Sequence, residues 1–137
     1  AEVSSPHAVG EGVRSRFDFR LIDGNGRTCW VEVKSVTLVE DGIARFPDAP
    51  TARGRRHLIE LATLAKAGDR AAVVFIVQRP DADHVEPNCE TDANFADALA
   101  DAQEARVELY AATCRLSTTE ILLERSLSVH TINCRDA

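Results

Sequence analysis

Residues 16–34 constrain the fold of this chain more than any other stretch, because two strand-like segments flank one tight turn there. The turn, residues 23–26, reads Asp-Gly-Asn-Gly and separates the segment around Asp18 from residues 29–34. Glycine and asparagine favour the positive backbone angles of hairpin turns, so the two segments are predicted to pair as antiparallel neighbours.

Alternation along these strands predicts a cluster of charged side chains. Glu32 and Lys34 share one face, Trp30 extends the row, and Asp18 can face Glu32 across the pair. Two carboxylates and an ammonium would then lie within reach of one divalent ion and one water. Carboxylate oxygens suit Mg²⁺ or Mn²⁺, and Lys34 would polarise the water and stabilise transition-state charge. The opposite faces are predicted to be apolar: Cys29, Val31 and Val33 in one strand, and Phe17, Phe19 and Leu21 in the other.

The rest of the chain predicts an α/β protein. Thr51 and Gly68 are suitable cap residues for a helix over residues 51–67. The apolar residues 71–77 predict a central strand that is covered on both faces and parallel to an earlier strand. A helix from Thr91 or Asp92 to Ala105 follows a polar loop over residues 80–90. A strand over residues 107–114 and an edge hairpin over residues 115–129 complete the prediction of a mixed β-sheet with flanking helices.

Length and composition bound the function classes. We predict one domain over residues 14–129, a tail or linker over residues 1–13 and a C-terminal tail over residues 130–137. No apolar run is long enough to span a membrane. The net charge of −6 argues against a general polyanion binder, but charges balance over residues 1–60 and the excess lies in residues 61–137. A locally basic cleft therefore stays compatible with the composition.

Four scattered cysteines form no zinc-site spacing. Cys29 and Cys114 fall in predicted strands, where we expect buried thiols. Together with the absence of a signal-peptide pattern, this predicts a reducing, cytoplasmic location.

Several motifs occur in a familiar order along the chain. They are Ser15-Arg16-Phe17-Asp18-Phe19, residues 31–38 (Val-Glu-Val-Lys-Ser-Val-Thr-Leu), Phe46-Pro47-Asp48-Ala49, Thr51-x-Arg53-Gly54-x-x-His57-Leu58-x-Glu60-Leu61 and residues 74–79 (Val-Phe-Ile-Val-Gln-Arg). Over roughly residues 15–129 the chain resembles the sugar fermentation stimulation protein A family, whose members have a PD-(D/E)XK nuclease-like domain. Pro47-Asp48, within Phe46-Pro47-Asp48, matches the PD of the superfamily name. Because it follows Lys34 in the chain, Asp18 and not Asp48 is the candidate metal ligand.

The resemblance implies a restriction-endonuclease-like core and metal-dependent hydrolysis of phosphodiester bonds, with DNA as the expected partner. It implies that Asp18, Glu32 and the Val33 carbonyl hold Mg²⁺ or Mn²⁺ and that Lys34 acts with them in catalysis. The alternative is a non-catalytic DNA-binding regulator of sugar (maltose) metabolism genes. Full-length members also carry an N-terminal OB-like domain that is not recognisable here, and its nucleic-acid surface is expected to be missing.

Further site residues follow the two strands. Arg53, His57 and Glu60 recur at helical spacing, and by pattern alone either an exposed ion-paired face or the lining of a cleft fits them. The resemblance favours the cleft, in which His57 and Glu60 orient the metal ligands and waters. Gln78, at the end of the apolar strand, is placed with them. Three arginines are expected to contact nucleic acid: Arg16, Arg53 and Arg56.

Overall fold

The computed structural model describes residues 3–4 and 16–134. This part of the chain contains ten strands and two helices. In chain order they are β1 (Val3–Ser4), β2 (Arg16–Phe17), β3 (Phe19–Ile22), β4 (Thr28–Val36), β5 (Val39–Glu40), β6 (Ile43–Phe46), α1 (Ala52–Lys66), β7 (Arg70–Val77), β8 (His84–Pro87), α2 (Ala93–Glu104), β9 (Glu108–Leu116) and β10 (Ile121–Val129). Neither helix is long and apolar enough to cross a membrane, as far as the described residues extend.

Eight strands form one mixed sheet in the spatial order β3-β4-β7-β9-β10-β8-β6-β5. The hairpins β3–β4, β5–β6 and β9–β10 are antiparallel, while β7 lies parallel to β4 and to β9. The predicted architecture, a mixed sheet with flanking helices and a central parallel strand after α1, is therefore confirmed.

The main core lies on one face of the sheet, here called the inner face. Apolar side chains of β4 and β7 pack there against apolar side chains of both helices. The strands contribute Trp30, Val36, Val73 and Phe75, and the helices contribute Leu58, Leu61, Phe95 and Leu99. On the opposite, outer face, the described residues form a small buried cluster of Cys29, Val31 and Ala72. β7 was expected to be covered on both faces, but the main core covers one face fully and the other face has the small cluster. The apolar sequence of β7 does not show whether one or two layers of structure cover the strand.

One carboxylate fastens the starts of both helices. Asp92 Oδ1 accepts from the Phe95 N–H and caps α2, while Asp92 Oδ2 accepts from the Thr51 N–H, both at 2.9 Å. Thr51 in turn caps α1, as predicted, by accepting from the Gly54 N–H at 2.9 Å. A Cβ on Gly54 would lie 2.8 Å from Thr51 Cγ2 and 3.4 Å from Phe95 Cε2, so a larger residue here would collide with the capping threonine.

Two predictions about the second half are corrected. Residues 84–87 were predicted to lie in a polar loop but form β8. Val85 and Pro87 are buried, and His84 and Glu86 are less buried. Four residues are too few to show a clear strand period. The hairpin strand β10 is not at an edge, because Ser128 and Val129 pair with β8 while β9 pairs along its other side.

The tail predictions also change. Val3–Ser4, within the predicted tail 1–13, pair with β2, and the remainder of that segment lies outside the described residues. At the other end, His130 donates its N–H to the Val85 carbonyl at 2.8 Å. Cys134 forms a disulfide with Cys89, so residues 130–134 are tied to the domain.

The disulfide was not predicted, because a sequence separation of 45 between its cysteines leaves no local signal in the sequence. The expectation of a reducing compartment rested on scattered cysteines interpreted as thiols, and the Cys89–Cys134 disulfide weakens that basis. The expectation for Cys29 and Cys114 is confirmed, since both are free and buried.

Candidate active site

The β3–β4 hairpin builds one side of the site. Phe19 pairs with Val31 and Arg20 with Trp30. The Asp23 carboxylate organises the turn by accepting from the backbone N–H groups of Asn25 and Arg27, each at 2.9 Å. The same register, continued by one residue, places Asp18 opposite Glu32, as the sequence predicts.

A bend at Asp18 separates β2 from β3 and changes one detail of the predicted alternation. Phe17 is fully buried, whereas Phe19 is 48% exposed, so these phenylalanines do not share a face. The Phe17 ring lies 6.1 Å from Trp30 and 5.7 Å from His57, measured between ring centroids. Phe17 is therefore a core residue directly before Asp18, and the alternation pattern did not predict its packing against Trp30 and His57.

Asp18 is held against the backbone of β4. Its Oδ2 accepts from the Val33 N–H at 2.8 Å. This bond keeps the Asp18 carboxylate beside the Glu32–Val33 peptide. The hairpin thus brings Asp18 next to Glu32 and Val33.

Glu32, Lys34 and His57 form a compact triangle on the inner face. Glu32 Oε1 lies 3.4 Å from Lys34 Nζ and 3.4 Å from His57 Nδ1, and Lys34 Nζ lies 3.3 Å from His57 Nδ1. The side chains are largely enclosed, with exposed fractions of 7%, 15% and 5%. Glu32 Oε2 is buried and has no hydrogen-bond partner among the described residues.

The helix α1 supplies the second side of the site. His57 and Glu60 are 4% and 0% exposed, so the alternative of an exposed, ion-paired helix face does not hold for them. Arg53, on the same side of the helix and nearer its start, is exposed. The helix thus turns a histidine and a carboxylate inward and leaves an arginine at the rim.

The remaining predicted residues lie at or beyond the rim. Arg16 and Arg56 are exposed. The Gln78 amide donates to the Ser35 hydroxyl. Ser35 follows Lys34 in the strand and points to the opposite face, so the structure does not bring Gln78 to the Glu32–Lys34–His57 triangle.

A second charged network supports the hairpin near its turn. Arg70 donates to Glu108 at 2.6 and 2.9 Å and to Asp23 at 3.2 Å. These bonds raise the pKa of Arg70, chiefly through Glu108. The pKa of Asp23 lies below its usual value because of the Arg27 N–H first, then the Asn25 N–H and Arg70. The pKa of Glu108 is lowered mainly by the hydrogen bond from Arg70.

The mixed sheet, with an aspartate beside a Glu-x-Lys strand, defines a nuclease-like α/β domain. Comparison with known proteins agrees with this class. A family model described as "Sugar fermentation stimulation protein RE domain" matches residues 5–120. The chain belongs to this family, SfsA, which confirms the family resemblance.

Curated relatives and a solved structure give the same result. Sugar fermentation stimulation protein homologs from Desulforamulus reducens and Moorella thermoacetica are 49% and 53% identical over 121 and 110 residues, covering 88% and 80% of this chain. The matches cover 50% and 47% of those relatives, so the chain spans about half their length. A structure of Pyrococcus furiosus SfsA in complex with Ca²⁺ superposes with a TM-score of 0.80 at 35% identity. The superposition covers 94% of this chain and 55% of the Pyrococcus furiosus chain.

Proposed function

We propose that this domain is a metal-dependent phosphodiesterase that cleaves nucleic acid, with DNA as the preferred substrate. The observation that carries the proposal is the convergence of Asp18, Glu32 and Lys34 on one rigid hairpin, with a buried Glu32 oxygen that lacks a hydrogen-bond partner in the described chain. A buried carboxylate oxygen without a hydrogen bond is costly, and it is a natural position for a cation.

The residues present fit a hard divalent cation. No three His, Cys, Asp or Glu side chains within residues 3–4 and 16–134 converge as a metal group. The site instead offers two carboxylates, from Asp18 and Glu32, and the Val33 carbonyl, which suit a Mg²⁺ or Mn²⁺ that keeps several waters. The Ca²⁺ complex of the Pyrococcus furiosus relative supports a cation that prefers oxygen ligands.

When bound, the cation would supply an activated water and neutralise phosphate charge. The chain itself positions the other groups. Lys34, held by Glu32 and His57, presents an ammonium that stabilises charge developing on the phosphate. The exposed arginines Arg16 and Arg53 would draw the backbone of the nucleic acid toward the site.

The test is cleavage of labelled single-stranded and duplex DNA and RNA with Mn²⁺, Mg²⁺ or EDTA. Glu32→Gln and Lys34→Ala should each lower cleavage by at least about a hundredfold, and Glu32→Gln should also weaken Mn²⁺ binding measured by calorimetry. Glu104→Gln and Lys66→Ala, which change exposed helix residues, are the matched controls.

Three outcomes separate the hypotheses. Metal-dependent cutting lost in both site variants and kept in both controls supports the proposal. A folded wild type that binds DNA but neither binds Mn²⁺ nor cuts any substrate would overturn the enzyme and favour the non-catalytic regulator of sugar metabolism genes. A wild type that neither binds nor cuts nucleic acid would exclude both functions for this domain.

A further inference from the structure

Arg20 is a cation on the site side of the sheet to which neither the residue pattern nor the family resemblance gave a role. It lies in β3, directly opposite Trp30 of β4. Residues that pair directly across an antiparallel ladder project to the same face. Arg20 therefore shares the inner face with Trp30, Glu32 and Lys34, whereas Phe19 and Leu21 project to the outer face.

The position of β3 leaves this arginine open to a ligand. β3 is the terminal strand of the sheet beside β4, and all four of its residues are exposed. Arg20 makes no hydrogen bond or ion pair with any described residue, whereas Arg70 and Arg79 are held by carboxylates. An uncommitted guanidinium gives up no internal partner when it binds an external anion.

Arg20 also lies at a suitable distance from the predicted ligand Asp18. Asp18 and Arg20 are two positions apart in the chain, which spans at most about 7 Å, and the long arginine side chain extends this reach. Guanidinium groups bind phosphate oxygens through two parallel hydrogen bonds. A phosphate held by Arg20 would thus be a neighbour of the phosphate at the Asp18–Glu32 site.

We propose that Arg20 binds the backbone phosphate next to the reacting one, so that the nucleic acid lies along the exposed edge strand β3. This inference rests on the proposed function and adds the path of the substrate to it. In the described chain β1 pairs with β2 and not with β3, so the outer edge of β3 is open and an extended strand can pass beside it.

The experiment compares Arg20→Gln with Lys66→Gln. Both residues are exposed, and both replacements change the net charge equally. Lys66 ends α1, and nine residues of helix place it roughly 14 Å along the axis from His57. Binding of labelled single-stranded DNA is measured by anisotropy with Ca²⁺ as the only divalent ion, at several salt concentrations between about 50 and 200 mM.

We expect Arg20→Gln to weaken binding roughly three- to tenfold and to reduce the salt slope by about one, while Lys66→Gln changes neither. Arg20→Lys should recover the slope but only part of the affinity, because it keeps the charge and loses the paired hydrogen bonds. Equal effects of Arg20→Gln and Lys66→Gln would overturn the inference and leave the proposed function intact. A wild type without any binding would overturn both.

Discussion

The disulfide between Cys89 and Cys134 should contribute a large part of the stability of this domain. It closes a loop with a sequence separation of 45 residues that contains α2, β9 and β10. The loop-entropy relation gives about 4 kcal/mol for a loop of this length. Among the described residues, the backbone pairing between β10 and β8 is short and comprises Ser128 and Val129, with the His130–Val85 hydrogen bond next to it.

Cys134→Ser should therefore lower the free energy of unfolding by up to about 4 kcal/mol and the Tm by about 10–15 °C. Reduction of the wild type should reproduce this shift in scanning calorimetry, and the same reductant should leave the variant unchanged. Thiol titration in denaturant should count two reactive cysteines before reduction, Cys29 and Cys114, and four afterwards. Four reactive thiols before reduction, or equal Tm values for oxidised and reduced wild type, would refute this reasoning.

Two further predictions concern the charged groups that fasten the helices and the hairpin. Asp92→Ala should lower the free energy of unfolding by about 2–3 kcal/mol in urea titrations, because it removes a helix cap and leaves the Thr51 N–H without its acceptor. Asp92→Asn should lose about 1–2 kcal/mol, because its single amide oxygen can accept only one of the two bonds. The pKa values of Asp23 and Glu108 are depressed below 3.8 and 4.5, so their stabilising effect is present above these values and is lost as the pH falls through the depressed pKa values. Denaturation from about pH 6 to pH 2 should accordingly show a shallower acid limb for Arg70→Gln, and parallel curves for wild type and variant would contradict the assignment.

The sequence was sufficient for the hairpin that carries the site because its signals are local. The turn after Ile22 and the alternation in β4 set the register that brings Asp18 to Glu32, and the cap residue Thr51 marks the start of α1. Each of these signals depends on neighbouring residues or on a fixed period. The positions of Asp18, Glu32 and Lys34 were therefore predictable before any tertiary contact was known.

The features that were missed depend on contacts distant in sequence or on a local break. Pairing of Cys89 with Cys134 and insertion of β10 beside β8 join segments that no short pattern connects. The bend at Asp18 directs Phe17 into the core, whereas the alternation pattern placed Phe17 on the same face as Phe19 and Leu21. The orientation of Gln78 away from the site follows from the face occupied by Ser35.

The charged side chains on the inner face of β4 support the proposed function. Trp30 and Val36 on this face are buried in the main core, yet the row between them contains Glu32 and Lys34. A buried charge pair commonly contributes no more stability than apolar residues of similar size, so a purely structural strand would gain from replacing it. His57 is also directed at this pair and not at solvent. The enclosure of three polar groups where apolar side chains would pack at least as well supports the proposed catalytic site.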